Sequence, residues 1–148
     1  MLRWLFATLH LLALPLGLGA VWARGRALRR TRSAQDLHPV FLADNLWGLA
    51  AVVWIGTGLV RAFGGLEKGA SYYLHDRVFY AKMGLLVVIL ALEIRPMATL
   101  IRWRMGLRRG APIMTTTAPA LARISEIQAG LVVLMVFAAT ALARGFFL

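Results

Sequence analysis

The sequence predicts an all-α integral membrane protein, a four-helix bundle of up-down-up-down topology, and three observations carry this expectation. Of the 148 residues, 60% are apolar, against about 45–50% in ordinary soluble domains. Four apolar runs, Trp4 to Ala23, Phe41 to Phe63, Val78 to Ile101 and Pro119 to Ala143, each reach the roughly 20 residues a helix needs to cross a hydrocarbon core about 30 Å thick. The runs lack the alternation of barrel strands, and lipid offers no partner to an unpaired amide, so helices are expected. Residues 1–148 read as one transmembrane domain.

The first run follows Arg3 and closes on Val21-Trp22-Ala23, which imitates a signal-peptide cleavage site. Arg24, Arg26, Arg29, Arg30 and Arg32 come directly after it and oppose export of a new N-terminus, so a retained helix is expected, with these arginines in the first loop. The second run ends near Arg61 and leads into Gly64 to Arg77. There Gly64, Gly65 and Gly69 signal turns, and Tyr72 and Tyr73 suit the membrane interface. In the third run Pro96 removes the amide that would bond the carbonyl of Leu92, which predicts a kink beside Glu93. Gly110, Pro112 and Thr115 to Thr117 mark the third loop, and Pro119 falls where a first helical turn accepts it. Connections this short make neighbouring helices antiparallel.

The formal charge of +11 invites comparison with nucleic-acid binders, which need a clustered basic surface. Here the cations flank apolar spans, so their expected partner is the lipid bilayer and its anionic headgroups, with no nucleic acid. Loops one and three carry nine of them, the five arginines above with Arg102, Arg104, Arg108 and Arg109. The other side carries five: Arg3, Arg61, Lys68, Arg77 and Arg144. The excess places loops one and three in the cytoplasm and both termini outside. With no cysteine, disulfides, thiolate metal sites and a cysteine nucleophile are excluded. No nucleophilic triad, phosphate loop or established metal motif is visible.

A charge at mid-membrane costs at least about 2.5–3.5 kcal/mol, so His10, Asp44, Lys82, Glu93, Arg95, Arg123 and Glu126 each ask for a reason. Lys82 and Glu93 are eleven residues apart, three helical turns plus about 20°, and so share a face. Asp44, Trp47, Gly48, Ala51, Trp54, Gly58 and Arg61 occupy a stripe roughly 140° wide on the second helix. A buried ionic network of Asp44, Asn45, Glu93, Arg95, Arg123 and Glu126 is expected at the cytoplasmic end. His10 comes near the depth of Lys82, and an imidazole there suits haem iron, a proton relay, or a simple interhelical hydrogen bond. In the cofactor reading His10 is the metal ligand, Lys82 or Arg61 meets the propionates, and Trp47 and Trp54 line the pocket. His38 and His75 fall in loops or at helix ends, and three histidines in all exclude a haem protein built on two histidine pairs.

Several strings carry a likeness: Leu9-His10-Leu11-Leu12-Ala13, Ala43-Asp44-Asn45-Leu46-Trp47-Gly48, Arg61-Ala62-Phe63-Gly64-Gly65, Lys82-Met83 and Leu92-Glu93-Ile94-Arg95-Pro96-Met97. Together they resemble the bacterial inner-membrane family known as domain of unknown function 2214, over nearly the whole chain. That resemblance implies a multi-pass protein of the bacterial inner membrane and no particular activity. More distantly, the Leu-His pair in helix one and the outer lysine of a later helix resemble the HemJ-type protoporphyrinogen oxidase and the copper-resistance D domain. The oxidase likeness implies b-type haem and oxidation of a porphyrinogen. Three readings follow: a b-haem redox protein using His10, a proton- or ion-relay component that would act as a homo-oligomer, and an accessory structural protein without chemistry of its own.

Overall fold

The computed structural model describes residues 1–64 and 77–144, with backbone alone for Val78, Leu142 and Ala143. Four helices dominate it: α1 (Leu2–Arg30), α2 (Leu37–Phe63), α3 (Arg77–Arg108) and α4 (Ala118–Arg144), with a single 3-10 turn at Ala34–Asp36 between the first two. Each is long and apolar enough to cross a membrane. The segment holding Tyr72, Tyr73 and His75 lies outside the described residues.

The helices outrun the apolar runs. Helix α1 continues through Arg24, Arg26, Arg29 and Arg30, so only Arg32 of the five arginines expected in the first loop lies beyond it. Likewise α3 carries Arg102, Arg104 and Arg108. Hydropathy marks where side chains stop favouring lipid, whereas a helix persists as long as its own carbonyls satisfy its amides.

Local chemistry ends α1 and α3. At Thr31 the chain turns extended, and the Thr31 hydroxyl donates 3.0 Å to the Ala27 carbonyl, satisfying an acceptor of the last turn. The Ser33 and Arg32 amides both donate to Asp36 Oδ2 at 2.9 Å, which folds the connection tightly enough to bring α2 back along α1. At the end of α3, the amides of Gly110 and Ala111 bond the carbonyls of Leu107 and Gly106. This 6→1, 5→2 pair needs a left-handed residue, supplied by Gly110 at φ 65°.

Helix α1 is the centre of the bundle, packing closely on α2 and α4, with α3 close to α4. Two glycines make this possible. A Cβ at Gly17 would lie 3.3 Å from the Trp47 ring, and one at Gly25 would lie 3.3 Å from Ser125 Cβ. Helices α2 and α3 have little close backbone approach among the described residues and meet through long side chains. Two apolar clusters result. One gathers Ala13, Val21, Trp54, Ile89, Val132 and Met135, and the other Leu28, Leu37, Leu100, Trp103 and Leu121. Leucines such as Leu12, Leu16, Leu49 and Leu59 face outward, as lipid contact requires rather than as a defect of packing.

Candidate functional site

Between the two apolar clusters lies a polar layer built on Arg24. Its side chain is completely buried, which a guanidinium tolerates only with full hydrogen bonding and a compensating charge. All five of its N–H donors are used. Nε donates 3.1 Å to Ser125 Oγ. Nη1 donates 2.8 Å to Asp44 Oδ1 and 2.7 Å to Glu93 Oε1, and Nη2 donates 2.8 Å each to Glu93 Oε2 and Gln128 Oε1. The grip on Glu93 is bidentate, the strongest form such a pair takes.

The acceptors are held in turn. Trp47 Nε1 and Gln128 Nε2 donate to Glu93 Oε2 at 3.0 and 2.8 Å, and Gln128 Nε2 also reaches the Ile89 carbonyl at 3.1 Å. Arg104 Nη2 donates 2.8 Å to Asp44 Oδ2, with its guanidinium 4.8 Å from the centroid of the Phe41 ring. Two guanidiniums therefore face two carboxylates, and the layer is electrically neutral. Each helix contributes: Arg24 from α1, Asp44 and Trp47 from α2, Glu93 and Arg104 from α3, Ser125 and Gln128 from α4.

A second polar site lies fourteen residues earlier on α1, about 21 Å away along the helix. His10 is 8% exposed. Its Nδ1 lies 3.0 Å from the Trp54 carbonyl oxygen and 2.9 Å from Thr57 Oγ1, and its ring stacks on Trp54 with centroids 5.9 Å apart. Gly58 makes room for it, since a Cβ there would stand 3.1 Å from His10 Cε1. In a helix the carbonyl of residue 54 points toward residue 58, so the absent side chain is what uncovers that oxygen to an imidazole from α1. The indole N–H of Trp54 is buried without an acceptor among the described residues. Lys82 and Arg61, both half-buried, belong to this same end of α3 and α2.

Of the residues expected in an ionic network, Asp44 and Glu93 meet in the Arg24 layer. Glu126 is instead paired with Arg29 at the surface. Asn45, Arg95 and Arg123 point outward, because Arg95 stands two residues from Glu93, and Arg123 two from Ser125, about 200° round their helices. Among the residues expected to hold a cofactor, His10 and Trp54 are in contact, whereas Trp47 belongs to the Glu93 layer. Arg24, Arg104, Ser125, Gln128 and Thr57 take part without having been singled out. Between the two sites Ala13, Gly17, Trp47, Ala50, Trp54 and Val132 line a small apolar cleft of 10 Å³, about the space of one water.

The chain matches, over residues 2–146, the family described as "Predicted membrane protein (DUF2214)". No curated protein and no solved structure matches it.

Removing Arg24 leaves Asp44 to Arg104 and takes from Glu93 the cation that grips it. Arg24→Met is expected to destabilise the bundle by about 3–5 kcal/mol, the cost of breaking a buried pair. Arg24→Met with Glu93→Met, which leaves Asp44 to Arg104, is expected to recover most of that loss. Denaturant unfolding in mixed micelles measures both, and a double variant no more stable than the single one would contradict the pairing.

Proposed function

We propose that this chain, which belongs to the DUF2214 family of predicted membrane proteins, is a redox protein that holds b-type haem with His10 as its iron ligand. The observation that carries this reading is the setting of His10. A buried imidazole whose Nδ1 rests on a backbone carbonyl and a hydroxyl has the arrangement by which proteins orient a metal-binding histidine. The residues present fit the group in two further respects. Trp54 brings a buried N–H in need of an acceptor, and Lys82 and Arg61 supply cations suited to propionates.

Haem supplies one-electron chemistry, and the protein sets access and polarity around it. His10 would provide the ligating nitrogen, and Trp54, stacked on the imidazole, gives an apolar wall and fixes the plane of the His10 ring. The small apolar cleft between Trp47 and Trp54 is far smaller than a tetrapyrrole. Among the described residues α2 and α3 approach least closely, and that side offers a place for a large planar group.

A proton relay is the weaker reading. It needs titratable groups in sequence, and the stretch from Glu93 to His10 is filled by Ala13, Gly17, Ala50, Trp54 and Val132. The Arg24 layer serves the fold in our reading, and the outer site serves the chemistry. The arginine excess further supports insertion in a bacterial inner membrane with the Arg24 end cytoplasmic and both termini outside.

Two experiments test these assignments. Protein purified after haem-supplemented expression is expected to show a Soret band that His10→Ala abolishes, and a colourless wild type would overturn the haem reading. Because the chain has no cysteine, Arg3→Cys and Ala111→Cys each give one labelling site. An impermeant maleimide applied to intact spheroplasts is expected to label the first and spare the second, and the reverse pattern would invert the topology.

A further inference from the structure

The hydrogen-bond pattern around His10 determines which ring nitrogen carries the proton. Thr57 Oγ1 lies 2.6 Å from the Val53 carbonyl and 3.1 Å from that of Trp54. Its single hydrogen goes to a carbonyl, which leaves its lone pairs to face His10 Nδ1 at 2.9 Å. The Trp54 carbonyl oxygen, 3.0 Å from the same nitrogen, can only accept. Two acceptors facing one ring nitrogen require a hydrogen on it, shared between them. Nδ1 is therefore the N–H nitrogen, and in the neutral ring Nε2 holds the basic lone pair.

We infer that Thr57, together with the Trp54 carbonyl, fixes His10 as the Nδ1–H tautomer and so makes Nε2 the electron-pair donor of the outer site. Thr57 is then a positioning residue, acting through His10, and the ligand class it selects is an electron-pair acceptor such as a metal centre. The identity of that centre as haem iron rests on the function proposed above; the tautomer does not.

Three features of the sequence make the device possible together. Thr57 turns its hydroxyl back on its own helix, as a membrane-embedded threonine does when a preceding carbonyl is in reach. Gly58 clears the approach to the Trp54 oxygen, since its missing Cβ would press on the imidazole at 3.1 Å. Trp54 stacks on the ring and resists its rotation about the Nδ1 contact. A ring held at one nitrogen and along one face keeps a constant direction for the other nitrogen. Partners of this kind typically account for about 10–100-fold in metal affinity.

The test uses haem-free full-length protein in lipid, labelled with 15N-histidine and assigned by the loss of signals in His10→Gln. Nitrogen shifts of the neutral His10 ring are expected to report a protonated Nδ1 and a bare Nε2. Thr57→Val, of nearly the same shape, leaves the Trp54 carbonyl as the remaining acceptor at Nδ1, so the opposite tautomer is expected to gain population beside the Nδ1–H form without replacing it, and Thr57→Ser is expected to restore the wild-type pattern. A wild-type ring with bare Nδ1, or a Thr57→Val ring unchanged from wild type, would overturn the inference. Haem titration of the same proteins gives a second readout, with about 10–100-fold weaker binding expected in Thr57→Val and near-wild-type binding in Thr57→Ser. A wild type that has the Nδ1–H tautomer but takes up no haem would overturn the haem reading and leave the tautomer standing.

Discussion

A guanidinium with no access to solvent governs this structure. Arg24 is surrounded on α1 by apolar residues, with Val21 and Leu28 fully buried on either side of it, and it could not remain charged there without a complete set of acceptors. Ser125, Gln128, Asp44 and Glu93 supply that set from the three other helices. The requirement is geometric as well as electrostatic. A fork of five donors satisfied in five directions fixes the depth and rotation of every helix that answers it, to within the tolerance of a hydrogen bond. Apolar packing alone would not do this in a bilayer, because lipid tails compete on equal terms with leucine side chains.

Register set at one depth extends to the rest of the bundle. With α1 and α2 locked through Arg24 and Asp44, the fourteen residues from Arg24 back to His10 bring the imidazole to the turn of α2 where Trp54, Thr57 and Gly58 lie. Gly17 beside Trp47 keeps the two helices close over that distance. A one-residue slip would rotate α1 by about 100° and carry His10 away from the uncovered carbonyl. The neutral layer thus acts as a ruler for the register of α1 on α2 as far as His10. The layer and the His10 site are separated by an apolar stretch lined by Ala13, Gly17, Ala50 and Val132.

Much of this was legible in the sequence, for physical reasons that also explain the rest. The spans and the all-α class follow from hydropathy and from the cost of unpaired backbone in lipid. Asp44 and Glu93 stood out because a carboxylate in an apolar run always needs a partner. Arg24 did not, since it follows directly on an apolar run and is the first of five arginines, where a buried cation and a loop cation look alike. Ser125 and Gln128 are uncharged and raise no alarm in a hydropathy profile. Arg95 and Arg123 were legible as outward-facing from the 100° rule applied to Glu93 and to the apolar face of α4, a step that counting charges by depth passes over. Thr57 lies between Gly56 and Gly58, in a string whose small residues suggest close packing and conceal a hydrogen-bond acceptor.

The Arg24 layer rests on pairing two guanidiniums with two carboxylates, Asp44 and Glu93. Infrared difference spectroscopy of the lipid-reconstituted protein at neutral pH, comparing wild type with Glu93→Gln and Asp44→Asn, tests it most directly. Each substitution is expected to remove carboxylate stretching intensity and no protonated carboxyl band. A carbonyl band of a protonated acid that disappears in either variant would contradict it.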